Sequence, residues 1–284
     1  MRGARHPNPS HGSHGELYVP RLAYAVIVAR ENRGQGTHMK SRLMVKALLL
    51  AACLAPISAM AAVPDYVAKA VADASRPDTD RHLDADRKPG EVLAYTGIKP
   101  GETVGEYLPG GGYYTRMMSD IVGPTGKVYA LETTTWGDEN VAATKKAIAG
   151  LSNVTLDTAP LGDFHLPQKV DMFWTSLNYH DLHIPKYANV DMAAFNKHVF
   201  DSLKPGGVYI VVDHAAAMGT GATLSPKLHR IEKATVEKEV EGAGFKLEGE
   251  SDILHNAADD HTKVVFDKSI RWKTDQFILM FKKP

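Results

Sequence analysis

The sequence has almost no cysteine, with Cys53 as its single example in 284 residues. Because no cysteine follows residue 61, that region has neither a disulfide framework nor a thiol nucleophile. Net charge is absent too, since Lys plus Arg and Asp plus Glu both total 33. Without a basic field, nucleic acid is not an expected partner. The 13 histidines show no HxxxH or CxxC spacing, so the sequence predicts no metal site.

Long apolar runs are missing except near the N-terminus. Residues 39–61 begin with basic side chains, continue as an apolar run from Ala47 and end on the small-residue stretch Ala59-Met60-Ala61. This pattern predicts a signal peptide cleaved after Ala61 and a periplasmic or secreted product, 62–284. The run is too short and too rich in alanine for a stable membrane span. Residues 1–38 are expected to be an upstream extension outside the fold.

A second interpretation of the same region rests on Cys53. The sequence "LAAC" resembles a bacterial lipoprotein box, and acylation there would anchor the protein to a membrane. The apolar stretch continues past Cys53 to Ala62, which favours ordinary cleavage over the lipid anchor.

Strand and helix patterns alternate through one domain at residues 62–284. Apolar segments predict five strands with helices between them, which indicates a mostly parallel sheet covered on both faces. The segments are "ETVGEY", "GKVYALE", "NVTLDTA", "KVDMFWTSL" and "VYIVVDH". A charged loop is predicted at 76–89 and one long helix at 225–245. Two late strands, "KLEGESDIL" and "DQFILMFKK", have no helix between them, so the sequence predicts an antiparallel pair at the sheet edge.

A glycine-rich stretch, "GEYLPGGGYYT" at 105–115, follows the first of these strands. A phosphate-binding P-loop would need Lys-Ser or Lys-Thr after the glycines, so that class is excluded. Gly110, Gly112 and Thr115 match the dinucleotide pattern GxGxxG only in part. Glu132 lies 20 residues after Gly112, where nicotinamide and S-adenosylmethionine folds both place an acid for ribose hydroxyls.

The residues around this loop resemble the first motif of class I S-adenosylmethionine-dependent methyltransferases. Glu106, Gly110 and Gly112 match its acid and glycines, and Leu108 occupies the slot of the first glycine. The pattern E-x-x-PGGG-aromatic-Tyr-Thr is similar to a subfamily of methyltransferases that are often exported. The likeness continues through "LKPGGVYIVVDH", "EGAGF" and "FILMFKKP" and covers about 64–284. It implies a Rossmann-like seven-stranded sheet with the last strand antiparallel.

The resemblance also implies S-adenosylmethionine as the cofactor. Glu106 would receive its ammonium, Glu132 its ribose hydroxyls, and Asp163 the adenine amino group. The remaining predicted cofactor contacts are Gly110, Gly111, Gly112, Tyr114 and the ring of Phe164. Residues 84–89 would either close over the cofactor as a lid or form a solvated charged loop.

Candidate catalytic residues follow the fourth and fifth strands. In "SLNYHD", His180 beside Asp181 is the first candidate for a base, and Asn178 and Tyr179 are positioning or donor groups. His214 at the end of the fifth strand is second, and His229-Arg230 third.

The sequence thus predicts a methyltransferase acting on a small-molecule acceptor. Two alternatives remain open: an exported protein that binds S-adenosylmethionine or S-adenosylhomocysteine without turnover, and an NAD(P)-dependent oxidoreductase.

Overall fold

The computed structural model describes residues 62–284. The predicted upstream extension, signal peptide and Cys53 anchor lie outside the described residues. Within them, seven strands form one sheet in the order β3-β2-β1-β4-β5-β7-β6. The strands are β1 (Thr103–Tyr107), β2 (Lys127–Thr133), β3 (Val154–Ala159), β4 (Val170–Ser176), β5 (Leu203–His214), β6 (Lys246–Ser251) and β7 (Gln276–Lys282).

Strands β1 to β5 pair in parallel, so their carboxyl ends meet at one edge of the sheet. The last strand, β7, runs antiparallel between β5 and β6, with Tyr209 opposite Phe281 and Leu247 opposite the same residue. The predicted Rossmann-like sheet with its last strand antiparallel is therefore confirmed. Of the two late strands, β6 forms the edge.

Helices cover both faces of the sheet, because alternate side chains of its buried strands point to opposite sides. On one face Val104 and Met172 pack with Met117, and on the other Tyr107 and Phe173 belong to a second core. The helices are α1 (Asp65–Val71), α2 (Asp78–Arg81), α3 (Asp84–Arg87), α4 (Pro89–Thr96), α5 (Tyr113–Val122), α6 (Asp138–Ala147), α7 (Met192–Ser202), α8 (Ser225–Leu228) and α9 (Lys233–Gly242). None of those in the described part of the chain is long and apolar enough to cross a membrane.

The charged segment 76–89 is not the loop that its composition predicts. It forms the short helices α2 and α3, which ion pairs hold against their surroundings. Arg76 pairs with Asp84 at 2.7 Å and Arg116 of α5 with Asp80 at 2.8 Å. The guanidinium of Arg87 lies over the Tyr113 ring, 4.0 Å from its centroid. These contacts fix the segment beside the start of α5.

The long helix predicted at 225–245 is also wrong, because the structure breaks it into α8 and α9. His229 ends α8 in the left-handed region, with φ of 54°. The next side chain, Arg230, is fully buried and donates to the carbonyl oxygens of Lys263 and Ala215 and to the Asp259 carboxylate. A buried guanidinium needs such partners, and they lie far away in sequence. The distant hydrogen-bond partners of Arg230 therefore determine the backbone here, and the continuous helix that the local pattern predicts does not form.

Candidate functional site

The chain leaves β1 through a turn with left-handed backbone. Leu108, Gly110 and Gly112 have φ of 55°, 54° and 75°. A Cβ added at Gly112 would lie 3.1 Å from Cβ of Ala147 in α6, so close approach requires glycine there. A Cβ added at Gly110 or Gly111 would meet no atom of residues 62–284 within 4 Å. The turn thus packs on α6 with one side and leaves an open side at Gly110 and Gly111.

Glu106, the acid of this turn, is a buried carboxylate at the carboxyl end of β1. It is 3 % exposed, and its Oε2 has no hydrogen-bond partner within residues 62–284. Burial raises its pKa to about 7, because a carboxylate out of water favours the neutral form. The hydroxyl of Thr115, in the first turn of α5, faces this carboxyl and partly offsets the rise in its pKa, although it makes no hydrogen bond of ordinary geometry within residues 62–284. Buried polar groups without partners are rare in folded proteins, so the unpartnered oxygen of Glu106 indicates a place where a ligand or water completes the bonding.

Glu132, the acid at the end of β2, is tied to the glycine turn through α6. Its Oε2 accepts a 2.6 Å hydrogen bond from the Thr144 hydroxyl, and its Oε1 accepts from the amide of Thr133 at 2.8 Å. The same Thr144 hydroxyl lies 3.0 Å from the carbonyl oxygen of Gly110. Thr144 was not a sequence candidate, since a threonine inside a helix has no distinguishing pattern. It fixes the orientation of the Glu132 carboxylate.

The other predicted cofactor residues occupy different surroundings. Phe164 is 1 % exposed; it packs in the core with Tyr107 and Phe173 and stacks on His198 at 4.1 Å between ring centroids. Asp163 is exposed, with a carboxylate oxygen 3.8 Å from His198. The ring of Phe164 therefore contributes mainly to packing between the sheet and α7.

Tyr114, the last predicted cofactor contact, is buried on the opposite face of the sheet from Phe164. Its ring packs on Trp174 at 4.7 Å between centroids, and the Arg87 guanidinium lies 4.9 Å from its centroid. This places Tyr114 on the face to which Val104 and, two residues on, Glu106 point.

A cavity of about 430 Å³ lies at the carboxyl ends of β4 and β5. Four of the predicted catalytic residues line it: Asn178, His180, Asp181 and His214. His229 also lines it, whereas Arg230 is held in the buried contacts described above. The other lining residues are Trp136, Asn140, Leu177, Tyr187, Val265, Phe266 and Trp272. The structure therefore brings together side chains from strand ends and from the break between α8 and α9.

Tyr179, a further predicted site residue, points away from this cavity. It is fully buried; its hydroxyl donates to Glu239 of α9 and accepts from the Asn196 amide of α7, both at 2.8 Å. Tyr179 thus holds the turn after β4 against the helices. Adjacent residues in a turn need not face the same way, and His180 faces the cavity.

His180 begins a 3-10 turn, His180–His183, and is held by a buried carboxylate of β5. Asp213 accepts from its backbone amide at 2.8 Å and lies 2.7 Å from its Nδ1. On the other side of the ring, Nε2 lies 3.3 Å from Oδ1 of Asp181 and 3.2 Å from Nδ1 of His229. Burial alone would lower the pKa of His180, but the Asp213 and Asp181 carboxylates raise it to about 10. These two carboxylates therefore favour the protonated, positively charged form of the His180 ring.

His214 provides a contrast on the same cavity wall. Its Nδ1 lies 2.7 Å from the Thr274 hydroxyl, and burial, together with the neighbouring His180, holds its pKa well below the usual value. The two imidazoles, 5.7 Å apart between ring centroids, therefore differ in charge.

Sequence reasoning missed the aromatic walls of the cavity. Trp136 and Tyr187 contact each other edge to face at 5.8 Å between centroids, and Phe266 contacts His229 at 4.8 Å. These residues come from the loop after β2, the loop after the 3-10 turn and the long loop before β7. No local pattern joins them, because only the fold brings those loops to one edge.

The chain has the fold of S-adenosylmethionine-dependent methyltransferases. It is similar to a crystal structure of a SAM-dependent methyltransferase from Aquifex aeolicus, with 21% identity, a TM-score of 0.51 and coverage of 74% of this chain and 99% of that one. For N-methyltransferase NodS from Bradyrhizobium japonicum the identity is 12% and the TM-score 0.52, with 72% and 98% covered. For a SAM-dependent methyltransferase from Mesorhizobium loti the values are 18% and 0.50, with 70% and 99% covered. Identities this low show a shared fold. No protein-family model matches the chain, and no curated protein matches it.

Replacing Glu106 by glutamine is expected to change how stability depends on pH. The pKa of this carboxyl is about 7 in the folded chain against a reference of 4.5, so wild type loses stability as pH rises through that interval. Between pH 5 and 8, Glu106→Gln should gain about 2 to 3 kcal/mol in unfolding free energy relative to wild type. Urea unfolding at both pH values measures this difference. Glu139→Gln, an exposed change in α6, is the control, and an equal pH dependence of all three chains would contradict the burial argument.

Proposed function

We propose that this protein is an S-adenosylmethionine-dependent methyltransferase that acts on a small molecule. The observation that carries the proposal is Glu106, a buried carboxylate with an unpartnered oxygen directly before a glycine turn that is open at Gly110 and Gly111. It lies at the carboxyl end of β1, where open parallel sheets bind their ligands. A cationic amino group is the partner that such a carboxylate lacks.

The residues around the glycine turn fit the proposed cofactor. Glu106 would pair with its ammonium, and Glu132, already oriented by Thr144, retains acceptor capacity for ribose hydroxyls. The open side of Gly110 and Gly111 lets a ligand approach the backbone closely. Asp163, Phe164 and Tyr114 stay predicted contacts, with Phe164 giving the least direct access because it packs in the core. The cofactor would supply a methyl group on a positively charged sulfur.

The cavity after β4 and β5 is the proposed acceptor site. Asn178 donates from Nδ2 to the carbonyl oxygen of Leu108 at 3.1 Å, which couples this cavity to the turn after β1. Methyl transfer is an in-line displacement, so the main task of the protein is alignment. His180 and Asp181 would orient the acceptor together with Asn178 and His214, while the aromatic walls offer it an apolar surface. Tyr179 acts on the site only by holding the turn.

Two other functions differ from this proposal in what they bind and release. A nicotinamide oxidoreductase would bind NAD(H) at the glycine turn, whereas the antiparallel β7 beside β5 favours the methyltransferase class. An exported protein that binds S-adenosylmethionine without turnover would use the Glu106 side of the site alone. The cavity with its converging polar groups favours an enzyme over that alternative.

Isothermal titration is expected to show binding of S-adenosylhomocysteine and none of NAD(H). Glu132→Ala should weaken the binding by about 1.5 to 3 kcal/mol, about tenfold or more, because hydrogen bonds to a charged acceptor are lost. Glu139→Ala, in the exposed first turn of α6, should leave it unchanged. Tight binding of NAD(H) without S-adenosylhomocysteine would contradict the proposal.

Turnover is expected as release of S-adenosylhomocysteine when wild type is mixed with S-adenosylmethionine and a metabolite pool. His180→Ala should lower the rate at least tenfold, which is about 1.4 kcal/mol or more from lost alignment, while binding S-adenosylhomocysteine within about twofold. Asn178→Ala serves as a second variant, with circular dichroism to check folding of both. Binding without release in any acceptor pool would identify a binding protein, and unchanged rates in both variants would place the acceptor elsewhere.

We also propose export, on the strength of the signal-peptide pattern at 39–61. The first helix of the described fold begins at Asp65, just after the expected cleavage site. Cleavage after Ala61 leaves the described domain whole.

Intact mass of the natively expressed protein is expected to match a chain that begins at Ala62. A chain beginning at an acylated Cys53 would support the lipid anchor instead, and Cys53→Ser would then abolish membrane association. A mass that retains residues 39–61 would contradict export by cleavage.

A further inference from the structure

We propose that His180, Asp181 and His229 form a binding site for a divalent first-row transition metal ion. Among the residues of the described domain, these three are the group of His, Cys, Asp and Glu side chains whose ligand atoms converge closely enough to hold a metal. The proposal stands on this geometry alone and does not require the methyl transfer proposed above.

The three ligand atoms form a nearly equilateral triangle. His180 Nε2 lies 3.3 Å from Asp181 Oδ1, His229 Nδ1 lies 3.2 Å from the same oxygen, and the two nitrogens are 3.2 Å apart. Ligands about 2.1 Å from one ion, at octahedral or tetrahedral angles, are about 3.0 to 3.4 Å apart. The triangle therefore has the size that a bound metal requires.

Neighbouring groups fix the first imidazole in the orientation for metal binding. Nδ1 of His180 lies 2.7 Å from Oδ1 of Asp213, a carboxylate with no solvent exposure. A carboxylate on one imidazole nitrogen directs the other toward a metal and makes it a stronger ligand. Nε2, which faces Asp181 and His229, is then the ligand atom of His180, and it binds a metal by releasing its proton to the solvent.

The second imidazole is held by an unusual backbone conformation. His229 has φ of 54°, a left-handed value that costs energy for a residue other than glycine. On its C-terminal side the fully buried Arg230 anchors the chain, and the Ser225 hydroxyl donates to the Arg230 carbonyl oxygen at 3.1 Å. Strain that the surrounding structure enforces is concentrated at functional sites, and here it aims Nδ1 of His229 at Asp181.

The set of ligands decides the class of metal. Two imidazoles and one carboxylate suit Zn²⁺, Fe²⁺, Mn²⁺ or Co²⁺, whereas Mg²⁺ and Ca²⁺ prefer oxygen ligands throughout. Three protein ligands leave coordination positions open, as in catalytic and not structural sites. His180, Asp181 and His229 all line the cavity, so the open positions would face its contents. An oxygen bound there would lose its proton more easily.

The sequence predicted no metal site because its ligands do not form a motif. Two are adjacent at 180 and 181, and the third is 48 residues after Asp181, at the break between α8 and α9. The predicted continuous helix through 229 hid this arrangement.

Zn²⁺ titration of the full chain, freed of metal by a chelator and carrying no affinity tag, tests the site. Wild type is expected to bind with a Kd below about 1 µM, and Co²⁺ to give visible absorption bands. His229→Gln should lose one bound ion and the Co²⁺ bands, and Asp181→Asn should weaken binding at least tenfold. Asp213→Asn, which removes the carboxylate behind His180 and leaves the three ligands in place, should weaken it about 10- to 100-fold.

A matched control exists in the same domain. His255 and His261 lie 2.9 and 2.8 Å from Asp275, but they contact opposite oxygens of its carboxylate, so their ligand atoms do not converge. His261→Gln should therefore bind Zn²⁺ as wild type does. Because residues 1–61 contain further histidines, the difference between variants and wild type is the measured quantity.

Equal Zn²⁺ stoichiometry and affinity in wild type, His229→Gln and Asp181→Asn, with unchanged circular dichroism, would overturn the proposal. The three side chains would then share protons in a hydrogen-bonded cluster. S-adenosylhomocysteine is titrated into the same samples. Metal binding without cofactor binding would support the metal site and contradict the proposed function. Cofactor binding without metal binding would support the proposed function and contradict the metal site.

Discussion

The buried carboxylate of Asp213 is the interaction on which the cavity depends. At the end of β5 it accepts from the backbone amides of His180 and His214 and lies 2.7 Å from His180 Nδ1. A carboxylate with no solvent exposure is costly unless such partners surround it. Because these hydrogen bonds compensate the cost of burying the carboxylate, they hold the turn after β4 against the end of β5. His180 cannot leave its position without breaking its bonds to Asp213, so this one buried carboxylate fixes the ring against which Asp181 and His229 lie.

The site has two halves that the sheet order places side by side. Glu106, Glu132 and the glycine turn lie at the ends of β1 and β2, and the cavity opens at the ends of β4 and β5, with Trp136 and Asn140 reaching it from the β2 side. Strand β1 lies between β2 and β4, so its end borders both halves. The hydrogen bond from Asn178 to Leu108 joins them directly. A ligand held at the glycine turn therefore borders whatever the cavity holds, as a transfer reaction between two molecules requires.

The sequence predicted the parts of the fold that local patterns determine. The five parallel strands, the glycine turn after β1 and the antiparallel β7 follow from short apolar runs and their connections. The break at His229 did not, because it depends on Arg230 reaching Lys263, Ala215 and Asp259 across the fold. The direction of each side chain could not be predicted from the local pattern either. Tyr179 and His180 are adjacent, yet Tyr179 bonds to helices and His180 faces the cavity. The aromatic walls were invisible for a similar reason, since loops distant in sequence supply them.

Leu108 shows how this turn keeps a glycine-like backbone while carrying a leucine side chain. It occupies the slot of the first glycine in the motif that this turn resembles, and its φ of 55° is a conformation that glycine adopts freely. The left-handed backbone costs a leucine about 1 to 2 kcal/mol. The side chain, however, is 5 % exposed and packs in the core with Tyr107 and Leu131, and burying a leucine contributes about 1.5 to 3 kcal/mol. Because burial offsets the strain, the backbone path that directs Gly110 to Gly112 is retained without the first glycine. The departure from the motif is thus a change in packing, with the turn itself preserved.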